Sequence, residues 1–183
     1  MELPSRRAIV EQTKTETVRN TRPSRVDLSF KNEVLKEHDA ETLKICFQCG
    51  TCTSGCPTAR FSDSYRPRKI LRMAQLGLRQ KVLSSPTLWL CAACFTCTDR
   101  CPQGVEVASV LRVLRNLAVK NGEVPPIYRE LAANIKETGY AYKIPGIRNK
   151  KREEMGLPPL PKPKASEIAK LIELTDGSKL SKR

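Results

Sequence analysis

The chain has 183 residues, 33 Lys and Arg against 19 Asp and Glu, a formal net charge of +14, and 8 cysteines. It contains no run near the roughly 18 apolar residues that cross a bilayer, so we expect no direct membrane contact. Met1 to Val10 lacks an apolar stretch that could serve as a secretory signal, which argues against a disulfide framework and predicts reduced thiols in a cytoplasmic, anaerobic setting.

The chain begins with a segment that shows no sustained hydrophobic period. Residues 1–31 mix charges with prolines and predict an N-terminal arm that orders only on binding. From Asn32 to Lys44 the sequence predicts a short helix capped by Asn32. His38 falls on the charged face of this helix, where a solvated side chain is a better interpretation than a metal ligand.

Two cysteine runs share the pattern C-x-x-C-x-x-C-x-x-x-C-P and use all 8 cysteines. This run is typical of cubane [4Fe-4S] clusters. Three cysteines spaced by three residues reach three irons, and in two-cluster ferredoxins the fourth ligand is the last cysteine of the other run. The predicted ligands are therefore Cys46, Cys49, Cys52 and Cys101 for cluster 1, and Cys91, Cys94, Cys97 and Cys56 for cluster 2.

Structural zinc is the main competing cofactor, because C-x-x-C pairs are also its usual ligands. A tetrahedral zinc site takes two such pairs and leaves no role for the third cysteine of each run. The repetition, with a proline after each fourth cysteine, favours two [4Fe-4S] clusters.

The loops of the two runs carry hydroxyl side chains that could reach cluster sulfurs. These are Thr51, Thr53, Ser54, Thr96 and Thr98, although loop residues of this kind more often bond their own backbone. Gly50 and Phe95 occupy equivalent positions in the two runs. We therefore expect the two clusters to differ in packing and solvent access.

The interval between the runs carries much of the excess charge. Residues 57–90 contain one acid, Asp63, against seven basic side chains: Arg60, Arg66, Arg68, Lys69, Arg72, Arg79 and Lys81. These would compensate the negative clusters or meet acidic protein partners. A nucleic-acid surface is disfavoured because it usually interleaves several aromatic residues with its basic ones, and Tyr65 is the aromatic residue nearest to Arg66 and Arg68.

The same interval has helical rather than strand periodicity. It predicts a helix over Pro67 to Lys81, and Ser85-Pro86 opens a short helix, Thr87 to Leu90. After the second run comes the clearest helical face of the chain, ended by Asn121-Gly122 and formed by Val107, Val110, Leu111, Leu114, Leu117 and Ala118. The predicted fold over residues 32–122 is an all-α two-cluster ferredoxin whose halves are related by a pseudo-two-fold axis.

Two further segments follow this domain. Residues 123–156 predict a helical extension, opened by Pro125-Pro126 and stopped at Gly139. Residues 157–183 predict a proline-rich linker and a short amphipathic helix with Ser166 as its cap candidate. That helix either folds back on the cluster domain or docks on another protein of a complex, and its lack of a core favours docking.

Several segments resemble the small iron–sulfur subunit, the C subunit, of the methanogen heterodisulfide reductase family. They are Cys46-Phe47-Gln48-Cys49-Gly50-Thr51-Cys52, Tyr65-Arg66-Pro67-Arg68, Trp89-Leu90-Cys91 and the second cysteine run. The resemblance covers residues 32–122 well and the remainder loosely. The cysteine runs alone are shared with iron–sulfur subunits of glycerol-3-phosphate, glycolate and succinate dehydrogenases, but the small chain without a fused second domain favours the methanogen family.

This resemblance implies a non-catalytic electron-transfer subunit of a soluble oxidoreductase complex in methanogenesis. Electrons would come from a flavin-containing, electron-bifurcating iron–sulfur subunit, which is fed by hydrogenase or formate dehydrogenase. They would pass to a catalytic subunit that reduces the coenzyme M–coenzyme B heterodisulfide. The chain has no nucleotide-binding glycine loop and no nucleophile beside a base, so we expect no active site of its own.

Two alternatives remain open at this stage. One is the iron–sulfur subunit of a quinone-linked dehydrogenase, which a membrane anchor among its partners would reveal. The other is a zinc-dependent nucleic-acid-binding module, which would be colourless, whereas an iron–sulfur protein is brown.

Overall fold

A computed structural model describes residues 25–158, 160–161 and 163–175 of the chain. These residues form ten α-helices and two 3-10 helices and no strand, which confirms the all-α prediction. Most of the predicted N-terminal arm, residues 1–24, lies outside the described residues, as do positions 159, 162 and 176–183 of the C-terminal segment.

Many of the helices are short, and four helical elements start with a proline whose fixed φ suits a first helical position. In chain order the elements are α1 (Leu28–Lys36), a first 3-10 helix (Glu41–Ile45), α2 (Thr51–Ser54), α3 (Pro57–Phe61), α4 (Pro67–Gln75), α5 (Arg79–Leu83), a second 3-10 helix (Pro86–Leu90), α6 (Thr96–Asp99), α7 (Val107–Lys120), α8 (Pro126–Thr138), α9 (Gly146–Glu154) and α10 (Ala165–Leu174).

The first helix differs from the prediction that it starts at Asn32 and runs to Lys44. Helix α1 begins at Leu28, because the Asp27 carboxylate accepts a hydrogen bond from the Ser29 N–H at 3.0 Å and caps it. It ends at Lys36, and a left-handed residue, Asp39, separates it from the first 3-10 helix. The early start buries Phe30 completely in the core of the cluster domain.

The helix predicted over Pro67 to Lys81 is two helices, so this prediction is wrong. Gly77, with φ of 70°, ends α4 in a Schellman motif: its N–H donates to Ala74 O, and the Leu78 N–H donates to Met73 O at 3.0 Å. Gly77 O also accepts a hydrogen bond from the Asp27 N–H at 2.8 Å. The break therefore ties the start of α1 to the α4–α5 junction.

Helix α7 lies at the centre of the core, as its sequence predicts. Its predicted apolar face is buried throughout, and it packs against α1, α4, α5, α6 and the second 3-10 helix. Around it, Val34, Leu71 and Leu88 are each fully buried. Because α7 follows the second cysteine run while α4 follows the first, this core holds the two runs side by side.

The C-terminal segment folds back onto the extension rather than onto the cluster domain. Helix α8 ends at the predicted glycine, Gly139, and α10 packs along it, with an ion pair of 2.9 Å between Lys136 and Glu173. Ser166 does not cap α10, which begins one residue earlier and has no side-chain cap. Leu171 and Leu174 stay exposed, and docking on another protein stays a prediction.

Within the part of the chain that the structure describes, no helix is long and apolar enough to cross a bilayer.

Candidate metal centre

A first cavity lies between the loop of the first cysteine run and the start of α7. Among its lining residues are Cys46, Cys49, Cys52 and Cys101, three cysteines of the first run and the last cysteine of the second. Val105 and Val107 form its apolar wall. The structure thus brings together the four side chains assigned to cluster 1, although their ligation stays a prediction.

A second cavity has the complementary set. It is lined by Cys91, Cys94, Cys97 and Cys56, together with Tyr65 and Pro67 on one side and Ala108 on another. The four cysteines assigned to cluster 2 are therefore also neighbours. Helices α2 and α6, which carry Cys52 and Cys97, pack against each other between the two cavities.

The two cysteine loops repeat the same backbone path despite different residues. Gly50 and Phe95 immediately precede α2 and α6, and both have positive φ, 94° and 62°. Gln48 and Ala93 are also left-handed at equivalent positions, with φ of 67° and 51°. Non-glycine residues in this region cost about 1 to 3 kcal/mol each, so the loop geometry is imposed against local preference.

The hydroxyl side chains of these loops divide into two groups. Thr51 Oγ1 lies 3.4 Å from Cys49 Sγ and Thr96 Oγ1 lies 3.5 Å from Cys94 Sγ, while hydrogen bonds to the sulfurs of a cluster stay a prediction. Ser54 donates instead to the Thr51 carbonyl at 3.1 Å. Thr51 and Thr96 are therefore the hydroxyls that lie beside the outer cysteine sulfurs.

Thr53 and Thr98 have a second role that the sequence did not suggest. Thr53 Oγ1 accepts a hydrogen bond from the Arg68 N–H, and Thr98 Oγ1 accepts one from the Ala108 N–H, both at 3.0 Å. Each satisfies a first-turn N–H of the helix that follows its own run, α4 or α7. The helices are thereby fixed to the cysteine loops in the same register in both halves.

The cysteines of each cavity differ in how readily they ionise. The Thr51 hydroxyl lowers the pKa of Cys49, and the Thr96 hydroxyl lowers the pKa of Cys94. Burial raises the pKa of Cys52, and burial raises the pKa of Cys97 to about 11. A raised pKa keeps Cys52 and Cys97 as neutral thiols unless bound positive charge stabilises their thiolates, as a metal centre would.

In each half, one long side chain holds the start of the cysteine run. Gln75 Nε2 donates to the carbonyls of Leu43 and Cys46, each at 3.1 Å. At the equivalent place in the other half, Arg115 donates to the carbonyls of Leu88 and Cys91, at 3.0 and 2.7 Å. The sequence analysis did not identify Gln75 or Arg115. The two halves have different residue types at this position, an amide and a guanidinium, so no repeated pattern marks it.

Tyr65 supplies an independent indication that the second cavity receives a group. Its side chain is fully buried, and its hydroxyl has no hydrogen-bond partner among the described residues. Burial raises the pKa of Tyr65 far above the ordinary value, with Cys91 adding to the shift, so the phenol stays protonated as a donor. A buried donor without an acceptor fits a cavity that a sulfur-rich cluster fills.

The described side chains do not by themselves form a site for a single metal ion. Among them, no group of three or more His, Cys, Asp or Glu is close enough to hold one. The cysteines line the two cavities described above. His38, as predicted, is solvated, with its Nδ1 2.7 Å from Asp39.

A basic groove opens beside the first cavity. It measures about 790 Å³ and includes Arg68, Lys69 and Arg72 of α4, together with Phe47 and Met73. Lys69 and Arg72 have no ion-pair or hydrogen-bond partner within the described residues, whereas Arg66 at the groove edge pairs with Asp63 at 2.9 Å. The groove thus presents positive charge that the described part of the chain leaves unneutralised.

Two four-cysteine cavities on an all-helical core are the arrangement expected of the class of helical two-cluster iron–sulfur proteins. The family model described as a 4Fe-4S dicluster domain matches residues 42–105, which run from within the first 3-10 helix to two residues before the start of α7. This match supports iron–sulfur clusters over zinc.

Similarity to known proteins extends well beyond that domain. The chain is 36% identical over 165 residues to the C subunit of the H(2):CoB-CoM heterodisulfide,ferredoxin reductase of Methanothermobacter marburgensis, covering 87% of this chain and 88% of that protein. It is 37% identical over 153 residues to the iron–sulfur C subunit of the CoB--CoM heterodisulfide reductase of Methanopyrus kandleri, covering 80% and 79%. The chain therefore belongs to the family of the iron–sulfur C subunits of heterodisulfide reductase.

A third relative comes from Methanosarcina acetivorans. The C subunit of the Ferredoxin/F(420)H(2)-dependent CoB-CoM heterodisulfide reductase of Methanosarcina acetivorans is 40% identical over 131 residues, 70% of this chain and 80% of that protein. The relatives are subunits of an oxidoreductase, heterodisulfide reductase, as the resemblance in sequence implied.

Proposed function

We propose that this chain is the electron-transfer subunit of a heterodisulfide reductase complex. It would hold two [4Fe-4S] clusters and relay electrons from the flavin-containing, bifurcating subunit to the catalytic subunit. The catalytic subunit would then reduce the coenzyme M–coenzyme B disulfide to two thiols with two electrons and two protons. The observation that carries the proposal is the pair of adjacent cavities, each with four cysteines, in a member of this family.

The proposed ligation is crossed. Cluster 1 would be bound by Cys46, Cys49, Cys52 and Cys101, and cluster 2 by Cys91, Cys94, Cys97 and Cys56. When bound, such a cluster takes up and releases one electron at a time. The chain contributes thiolates, hydrogen bonds to sulfur and an apolar wall, the features by which a protein sets cluster potentials.

The chain itself would carry out no substrate chemistry. Apart from the cysteine cavities and the basic groove, a hollow of about 540 Å³ lies between the end of α8, α9 and the proline-rich segment. Its polar side chains include Tyr142, Asn149 and Glu153. In the proposed relay, the flavin and the disulfide are bound by the partner subunits.

Partner docking is proposed at the rims of the cysteine cavities. Phe47 beside the first cavity and Phe95 beside the second are 60% and 46% exposed, and aromatic residues of this kind are common contact anchors. One partner at each rim would give an electron path through both clusters. The complex would be cytoplasmic, where thiols stay reduced, with hydrogenase or formate dehydrogenase supplying electrons to the flavin-containing partner.

Reconstitution tests this proposal directly. The flavin-containing and catalytic partners would be mixed with and without this chain, and reduction of the heterodisulfide would be followed with electrons entering through the flavin. We expect turnover only when the chain with both clusters is present. Equal turnover in its absence would contradict the relay role.

A further inference from the structure

Tyr65 and Val105 occupy equivalent positions in the two halves of the cluster domain. The Thr53–Arg68 and Thr98–Ala108 hydrogen bonds fix α4 and α7 in the same register relative to the cysteine loops. Tyr65 lies three residues before Arg68, and Val105 lies three residues before Ala108. Tyr65 lines the second cavity and Val105 lines the first.

The two side chains are equally buried, but only tyrosine carries a hydroxyl. Tyr65 is 0% exposed and Val105 is 1% exposed, so neither reaches water. The Tyr65 hydroxyl makes no hydrogen bond within the described residues, and Tyr65 lines the second cavity together with its four cysteines. Leaving a buried hydroxyl unpaired is unfavourable, so a position of this kind calls for an acceptor.

The first cavity has a different side-chain donor to sulfur. Gln48 Nε2 lies 3.4 Å from Cys46 Sγ, and the equivalent residue of the second run is Ala93, which has no donor in its side chain. Gln48 and Tyr65 therefore have no side-chain donor at the equivalent position of the other half, which is Ala93 for Gln48 and Val105 for Tyr65. Backbone N–H groups contribute in both, from Val105 to Cys101 Sγ at 3.3 Å and from Ala93 to Cys91 Sγ at 3.4 Å.

We propose that the Tyr65 hydroxyl donates a hydrogen bond to a sulfur of the cluster bound in the second cavity and raises the reduction potential of that cluster. A reduced cluster carries one more negative charge, part of it on sulfur, so a donor stabilises the reduced form more than the oxidised form. The inference rests on the proposed clusters and assigns the tuning of cluster 2 to this residue. Gln48 is the corresponding side chain at cluster 1.

Redox titration followed by electron paramagnetic resonance tests the assignment in the full chain with both clusters. In Tyr65→Phe we expect the oxidation–reduction equilibrium of cluster 2 to shift about tenfold toward the oxidised form, or about 59 mV for a one-electron couple. The potential of cluster 1 should not change. Gln48→Ala, which introduces the residue type that the second run has at position 93, should lower the potential of cluster 1 and leave that of cluster 2 unchanged.

Tyr128→Phe is the control, because it removes the hydroxyl of a different tyrosine, which is partly buried, lies 3.3 Å from the Trp89 carbonyl and is outside both cavities. It should leave both potentials unchanged. If the potential of cluster 2 is unchanged in Tyr65→Phe, or if both potentials shift equally, the assignment to Tyr65 is wrong. The proposed relay function would still stand.

A second variant keeps the shape of the tyrosine side chain if the phenylalanine variant fails to bind cluster 2. Site-specific replacement of Tyr65 by 3-fluorotyrosine makes the phenol a stronger donor. We expect a higher potential for cluster 2 alone, the reverse of the phenylalanine effect. A potential that stays the same or falls would contradict the hydrogen bond.

Discussion

Gln75 and Arg115 perform the same task in the two halves of the cluster domain. Each lies on the helix that follows its cysteine run, and each donates to the carbonyl of the first cysteine and to the carbonyl three residues before it. Gln75 also accepts a hydrogen bond from Gln48, at 3.1 Å. Helices α4 and α7 thus each fix the start of the cysteine run that precedes them.

Removing either side chain should loosen one cluster selectively. Arg115→Ala leaves the Leu88 and Cys91 carbonyls without their donor, so cluster 2 should be lost to an iron chelator several times faster than in the unaltered protein. Gln75→Ala should do the same to cluster 1. The measurement is the decay of each cluster's resonance signal under chelation, and acceleration of both clusters by either change would contradict the separate roles.

The junction between α1 and the α4–α5 turn offers a test of stability. A Cβ added at Gly77 would lie 2.3 Å from Asp27 O, while one added at Gly122, at the end of α7, would meet nothing within 4 Å. Both glycines have positive φ, 70° and 76°, so Gly122→Ala measures the conformational cost alone, about 1 kcal/mol.

Gly77→Ala should lower the free energy of unfolding by about 2 kcal/mol more than Gly122→Ala does, because Asp27 or the turn must move. Denaturant unfolding followed by circular dichroism, on protein with its clusters bound, gives the comparison. Equal losses in the two variants would show that α1 does not depend on this contact.

Features encoded by short stretches of sequence could be predicted, whereas features that depend on contacts between distant residues could not. The spacing of the cysteines and the apolar face of α7 are local patterns, and the all-helical fold and the iron–sulfur family could be predicted from them. The start of α1 could not, because Asp27 and Asn32 are both good caps and the burial of Phe30 is a tertiary fact. Likewise the apolar stripe of α4 continues past Gly77, and only its packing on Asp27 shows the break.

The side chains that tune and support the site were the least predictable part. Tyr65 stands in sequence among arginines, and its contact with the second cavity arises because the chain entering α4 crosses from one cysteine run to the other. Thr53 and Thr98 could be identified as hydroxyls near sulfur, but their bonds to α4 and α7 depend on where those helices begin. Such contacts join residues that share no local pattern.

The basic groove should contribute to partner binding through its charge. Lys69→Glu with Arg72→Glu should weaken the complex with the partner that covers the first cavity by about tenfold at low salt, mainly through slower association. The difference should shrink as salt is raised. Lys150→Glu with Lys151→Glu, an equal change of charge on exposed residues of α9, is the control. The same loss in both variants would indicate a general charge effect and no role for the groove.

The exposed leucines of α10 should form part of a contact with a partner protein. Leu171 and Leu174 are 62% and 75% exposed, and burying a leucine contributes about 1.5 to 3 kcal/mol. Replacing both by Asp should reduce retention of the flavin-containing and catalytic partners at least tenfold in pull-down assays, with cluster content unchanged. Lys170→Asp, an exposed neighbour, should retain them. If the leucine variant retains the partners fully, α10 has no docking role.

Crossed ligation is the central claim, and four alanine variants test it by electron paramagnetic resonance of the reduced protein. Cys49→Ala and Cys94→Ala give the reference spectra for loss of cluster 1 and cluster 2. Cys101→Ala should reproduce the Cys49→Ala spectrum, and Cys56→Ala should reproduce the Cys94→Ala spectrum. If Cys101→Ala instead reproduces the Cys94→Ala spectrum, each run binds its own cluster and the crossed arrangement is wrong.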